Sequence, residues 1–117
     1  SWWMRAAAAD ILGDIGLPVP PAVAALTAAL RDESAWVRRN AAEALGIIGP
    51  AAAQAVPELL ALLADEHSWV RHNVVSTLAR IGPAAREAVP TLRRALKDDA
   101  APYVRSNATV ALDKIEA

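Results

Sequence analysis

An aromatic–aliphatic–arginine unit returns four times along this chain. It reads Trp3-Met4-Arg5, Trp36-Val37-Arg38, Trp69-Val70-Arg71 and Tyr103-Val104-Arg105, at spacings of 33, 33 and 34 residues. Self-similarity at a period of that size is the mark of a repeat array, in which each unit buries its apolar face only against its neighbours. Stacked units present the same position side by side along one extended surface. That arrangement suits binding better than chemistry.

The units contain two kinds of helix. In the first, Val37, Ala41, Ala44, Leu45 and Ile48 fall on one helical face, as offsets of 4, 7, 8 and 11 residues require. The same five slots return as Met4, Ala8, Ile11, Leu12 and Ile15, as Val70, Val74, Thr77, Leu78 and Ile81, and as Val104, Ala108, Ala111, Leu112 and Ile115. Thr77 is the one non-apolar residue in the set. The second kind has slots Val56, Leu59, Leu62 and Leu63, repeated as Val23, Leu26, Ala29 and Leu30 and as Val89, Leu92, Ala95 and Leu96.

Punctuation keeps the same register. Pro57 and Pro90 follow the leading valines, so these helices start near Ala55 and Ala88, because proline is tolerated only in a first helical turn. Gly49-Pro50 and Gly82-Pro83 place glycine at a left-handed stop with proline blocking continuation. Ser34 and Ser68 stand at expected N-caps. The pattern predicts seven helices, near 2–15, 21–31, 35–48, 52–64, 69–81, 85–97 and 102–116. Two irregularities stand out: the first turn, Leu17-Pro18-Val19-Pro20-Pro21, lacks the Gly-Pro-Ala-Ala form, and the last unit carries one extra residue near Ala100-Ala101-Pro102.

Composition excludes several classes of function. The absence of cysteine removes disulfides, thiolate nucleophiles and zinc–thiolate sites. A net charge of −1 gives no chain-wide attraction to nucleic acid or anionic membrane. No apolar run approaches the roughly 20 residues of a membrane span, and no signal peptide is evident. The localisation is therefore left open. His67 and His72 lie five apart without an H-E-x-x-H pattern, no glycine-rich phosphate loop occurs, and no serine has a nucleophile context. These residues predict neither a catalytic nor a metal site, and no cofactor.

The unit Asp65-x-x-x-Trp69-Val70-Arg71-x-Asn73-x-x-x-x-Leu78-x-x-Ile81-Gly82-Pro83 resembles a HEAT-like repeat, closest to the subtype named after phycobilisome bilin lyases. Neither the tetratricopeptide W-x-x-L-G-x-x-Y pattern nor the ankyrin T-P-L-H motif occurs. The resemblance covers essentially the whole chain. It implies an all-α fold, a right-handed α-α superhelix of about three and a half hairpins. The chain then reads as a single HEAT-like domain over 1–117, with a half repeat at 1–16 and repeats at 17–49, 50–82 and 83–117. In such arrays the Arg after Val and the Asp after the first helix form an inter-repeat ladder. Carried over, the arginines are Arg5, Arg38, Arg71 and Arg105, and the aspartates Asp32, Asp65 and Asp98.

The resemblance also implies which positions face the concave side. They form four columns: Trp3, Trp36, Trp69 and Tyr103; Ala7, Asn40, Asn73 and Asn107; Asp10, Glu43, Ser76 and Val110; and Asp14, Ile47, Arg80 and Lys114. Helix axes ~8–10 Å apart are expected to keep the aromatics from stacking on one another. The groove reads acidic at Asp10, Asp14 and Glu43 and basic at Arg80 and Lys114, with Arg39 and His72 nearby. Packing explains the aromatics as readily as binding does, and the asparagines are read first as structural.

The alignment opens on an unpaired helix that is apolar nearly all round, which makes Trp2, Met4 and Ile11 candidates for an end contact with another subunit. The expected function is a non-enzymatic protein–protein interaction or scaffold module, or a small subunit of a larger complex. It would bind another protein, in a hetero-complex or homo-oligomer, through the concave face, the open N-terminal helix, or both. Two alternatives stay open: a subunit of a phycobilin lyase-type chromophore attachment or chaperone complex, in which bilin is a possible ligand, and an excised part of a longer HEAT array. Acidic residues in the groove disfavour nucleic acid.

Overall fold

The computed structural model describes Arg5 and residues 20–117. Its α-helices are α1 (Pro20–Ala29), α2 (Ala35–Ile48), α3 (Val56–Ala61), α4 (Ser68–Ile81), α5 (Val89–Asp98) and α6 (Pro102–Glu116), and the described residues contain no strand. The expected helix near 2–15 lies outside the described residues, except for Arg5, which is helical.

Short 3₁₀ segments at Gly49–Ala55, Leu62–Ala64 and Gly82–Ala88 carry helical backbone through the expected loops. The described residues therefore form four runs, 20–29, 35–64, 68–98 and 102–116, the two long ones each bent at a glycine with non-helical angles and the second also at Ala85. A 3₁₀ turn needs only three residues per hydrogen-bonded ring, so a corner can be made without leaving helical backbone for long. At the corners, Gly49 has φ 76° and ψ −138°, and Gly82 has φ 74° and ψ −143°. Their φ is positive as expected, but ψ lies outside the left-handed helical basin. Pro50 and Pro83 are the cause, because a residue before proline is kept away from helical ψ. Glycine alone tolerates the resulting pair of angles. Each glycine still donates its N–H back along the preceding helix, to Leu45 O and Leu78 O.

Helix starts differ from expectation too. Ser34 sits at the cap position of α2 but makes no side-chain cap bond, and Ser68 is already the first residue of α4. Aspartates organise the turns instead. Asp32, Asp65 and Asp99 each accept, through Oδ1, the backbone N–H two residues on (Ser34, His67 and Ala101) at 2.9 Å. This is an Asx turn, in which a short carboxylate imitates a backbone carbonyl.

The elements lie in two layers. Helices α2, α4 and α6 pack side by side, while α1, the 3₁₀ corners, α3 and α5 lie against them. Between the layers sit Leu26, Leu45, Val56, Leu59, Val74, Leu78, Leu92, Ala108 and Ile115, essentially without solvent contact. Among the repeating slots in the described residues most are buried, Ala29, Ile48, Leu62, Val89 and Ala95 are half-buried, and Leu96 is exposed. Thr77 is buried because its hydroxyl donates to Ala42 O of α2 at 2.6 Å, which satisfies a polar group that would otherwise be costly there. Opposite it stands Gly46, where a Cβ would meet Thr77 Oγ1 at 2.9 Å. The two helices thus approach closely at a glycine on one and a back-bonded threonine on the other.

The run Ala35–Ala64 is long enough to cross a membrane, and an 18-residue window of it has a mean hydropathy of 1.6. Yet the run changes direction at Gly49, and its Val37, Ala41, Leu45, Val56 and Leu59 are committed to the core. It is one of the bent helical runs of the array.

Candidate functional site

The arginines of the repeated unit reach from one repeat to the next. Arg5 Nε donates to Asp32 Oδ2 at 2.6 Å, Arg38 Nε to Asp65 Oδ2 at 2.8 Å and Arg71 Nε to Asp99 Oδ2 at 2.8 Å. Each aspartate's backbone carbonyl accepts from the arginine six residues later: Asp32 O from Arg38, Asp65 O from Arg71 and Asp99 O from Arg105. Every aspartate in the series therefore joins two arginines while shaping its own turn. The pairing falls on Asp99 and not on Asp98, which ends α5 with an exposed side chain. The extra residue of the last unit lengthens the helix ahead of the turn, so the turn-forming aspartate moves on by one.

Charge states follow from these contacts. The Arg5 hydrogen bond holds the Asp32 carboxyl below the ordinary carboxylate range, against the opposing effect of burial. For Asp99, burial pushes upward most strongly. The bonds from Arg71 and the Ala101 amide, with the charges of Arg71 and Arg105, still leave the carboxyl lowered. Arg71 is correspondingly raised, first by its hydrogen bond to Asp99.

Two members of the aromatic column, Trp36 and Trp69, are in contact, contrary to expectation. Trp36 and Trp69 have ring centroids 4.8 Å apart and planes tilted by 31°, and His67 lies 4.9 Å from the Trp69 ring. An indole is long enough to lean across the gap between neighbouring helices, and tilted stacking is favourable at this separation. Tyr103 meets His72 edge-on at 5.3 Å, and its hydroxyl hydrogen-bonds Ser68 Oγ. Trp36 and Tyr103 nevertheless remain about half exposed, at 52% and 45%. Trp3 lies outside the described residues.

Asparagines serve the helices behind this ledge. Asn107 Nδ2 donates to Ser76 Oγ at 2.8 Å, bridging α6 to α4. Asn73 Nδ2 donates to Trp69 O at 3.0 Å. Buried Asn40 accepts from Arg39 at 3.0 Å, and Arg39 in turn pairs with Glu43, also at 3.0 Å. Glu43 is therefore already matched by a cation, which weakens the acidic end of the groove within the described residues. Asp10 and Asp14 lie outside them, as do Trp2, Met4 and Ile11.

Beside the ledge, three adjoining hollows run along α2, α4 and α6. The largest, about 540 Å³, is lined by Ser76, Ala79, Arg80, Asn107, Val110, Lys114 and Ala117. A second shares Ser76 and Arg80 with it and continues to Glu43 and Asn73. A third shares Asn107 and Val110 and continues to His72 and Tyr103. The structure thus brings Glu43, Asn73, Arg80, Asn107, His72 and Tyr103 onto one continuous surface. No group of three or more His, Asp or Glu side chains that could hold a metal ion occurs among the described residues.

Periodicity did not reveal Asp99, Ser68 or the pair of Arg31 with Glu58, whose Nε–Oε2 distance is 2.9 Å. Counting back four residues from each aromatic would have found Asp99. The Arg31–Glu58 pair occurs in one repeat only, so no column signals it.

The alternation of helical layers and the arginine–aspartate rungs define a helical repeat protein. A model of HEAT repeats matches residues 1–55 and 24–113. The chain belongs to the HEAT repeat family. Among solved structures it is similar to the crystal structure of an engineered protein, at 25% identity and a TM-score of 0.78. The match covers 94% of this chain and 55% of that one, so the chain spans about half the length of the engineered protein. No curated protein matches the sequence. HEAT repeats generally mediate protein–protein interaction and are typically non-catalytic.

Proposed function

We propose that this chain is a non-enzymatic binding or scaffold module that holds a protein partner along the surface of α2, α4 and α6. The observation that carries this reading is the ledge of Trp36, Trp69 and Tyr103 beside a continuous hollow of mixed lining. Two half-exposed aromatics, held in place by Trp69, Ser68 and His72, offer contact area at little cost in side-chain ordering. The rungs behind them keep the surface preorganised. We read the chain as one domain, a right-handed superhelix with repeats at 17–49, 50–82 and 83–117 after a half repeat at 1–16. Trp2, Met4 and Ile11 are a second candidate contact, at the N-terminal helix.

The test is affinity capture with the parent chain and with Trp36→Ala and Tyr103→Ala variants whose circular dichroism and melting temperature match the parent. Loss of the proteins retained by the parent is expected in both variants. Unchanged retention in both would overturn the ledge as the contact and leave Trp2→Ser as the next variant.

A further inference from the structure

We infer that the α4–α6 end of the groove accepts an acidic peptide segment, with Arg80 and Lys114 as its anchors. This rests on the reading of the groove as a protein-binding surface and adds the chemistry of what it binds.

Arg5, Arg31, Arg38, Arg39, Arg71 and Arg93 each pair with a carboxylate. Arg105 donates to a backbone carbonyl and Arg94 to Thr91. Arg80, Arg86, Lys97 and Lys114 have no such partner among the described residues, and of these four Arg80 and Lys114 line the hollow of about 540 Å³. They also flank its polar floor, Ser76 and Asn107, whose side chains are already bonded to each other. Among the described residues, the one carboxylate side chain lining the connected hollows is Glu43, which lies in the adjoining hollow and is engaged by Arg39. Of the acidic residues on α6, Asp113 does not line the hollow and Glu116 is turned to Arg93. Two unmatched positive charges therefore face one concavity in a chain whose net charge is −1.

Size and lining fix the class of occupant. A hollow of about 540 Å³ is in the range of a specific ligand site, but it is open and continues past Val110 toward Tyr103. An extended segment fits that shape better than an enclosed small molecule. Acidic side chains would lie against Arg80 and Lys114, where charge-assisted hydrogen bonds are the strong ones. Val110 and Tyr103, exposed by 48% and 45%, would cover an apolar side chain next to the acidic ones. The occupant is thus an extended acidic stretch of a protein, flanked by an apolar residue.

A phage-displayed library of random decapeptides tests this. Peptides retained by the parent chain should be enriched in Asp and Glu beside an apolar residue. The enrichment should vanish against Arg80→Gln/Lys114→Gln, and a selected peptide should lose roughly tenfold or more in affinity. An Arg94→Gln/Lys97→Gln variant, which carries the same charge change on α5, should select the same acidic peptides as the parent. Acidic enrichment that survives in the groove variant, falls equally in the α5 variant, or is absent from the parent would overturn the proposal. In that last case, retained peptides that still require Trp36 and Tyr103 would leave the groove reading standing without its acidic partner. Peptides indifferent to Trp36→Ala would remove both.

Discussion

Arg71 Nε lies 2.8 Å from Asp99 Oδ2, while its Nη1 lies 2.8 Å from the backbone carbonyl of Asp65. One guanidinium therefore spans two successive turns. Both charged side chains are largely withdrawn from solvent, at 13% and 7% exposure.

Removing the carboxylate should be costly at Asp99 and not at its neighbour. Asp99→Asn leaves the Arg71 charge half-buried with a weaker partner and is expected to cost about 1–3 kcal/mol, between the values for exposed and buried pairs. Asp98→Asn should be neutral within about 0.5 kcal/mol. Urea unfolding followed by tryptophan fluorescence measures both. Equal effects would show that the rung does not depend on which aspartate forms the turn.

The same contacts predict an acid limb. Asp32 and Asp99 have carboxyls held below the ordinary carboxylate range in the folded chain. Their contribution is complete above the unfolded value of about 3.9 and is lost as pH falls through the lower folded values. Unfolding free energy should therefore hold from neutral pH to about 5 and decline steeply below 4. The difference between the parent and Asp99→Asn should shrink over that same interval. A difference that stays constant down to pH 2.5 would contradict the linkage.

Close approach of α2 and α4 gives a coupled pair. Gly46→Ala places a Cβ against Thr77 Oγ1, and Thr77→Ala removes the bond to Ala42 O. Each alone should cost about 1–2 kcal/mol. Together they should cost less than their sum, because the second change removes the atom the first one meets. A double-mutant cycle in urea reads the coupling, and strict additivity would show that the helices part rather than clash.

Corner glycines supply a fourth test. Gly49→Ala and Gly82→Ala force an L residue into positive φ with strongly negative ψ and should each cost about 1–3 kcal/mol. Space is not the obstacle, since nothing lies within 4 Å of a Cβ at Gly82. If Gly82→Ala melts with the parent, the corner relaxes to another conformation.

Much of this architecture is legible in the amino-acid order, for reasons that differ between features. Burial of Val37, Val70 and Val104 is written in helical periodicity, because every repeat must solve the same packing problem with the same slot. Arg38 and Arg71 recur for the same reason. Asp99 was misassigned to Asp98 because alignment forward from Leu96 cannot tell whether an inserted residue belongs to the helix or to the turn. The contact between Trp36 and Trp69 was missed because axis spacing alone ignores the length and lean of an indole. The bends within the runs 35–64 and 68–98 depend on backbone angles at Gly49 and Gly82, which residue type narrows without setting. The hollow beside Arg80 and Lys114 needs three helices in place before it exists at all.

The interval from each turn aspartate to the arginine that bonds its carbonyl is six residues in every repeat described, while the carboxylate rung spans 27, 27 and 28. The chain thus keeps its phase from the aspartate forward and leaves the stretch before it as slack. A residue gained or lost ahead of Asp32, Asp65 or Asp99 changes only how far the preceding helix runs. The same change between aspartate and arginine would rotate the next helix by about 100° and turn Trp36, Trp69 or Tyr103 off the shared face. Length variation in such an array is therefore confined to one place in each unit, and the binding columns stay aligned through it.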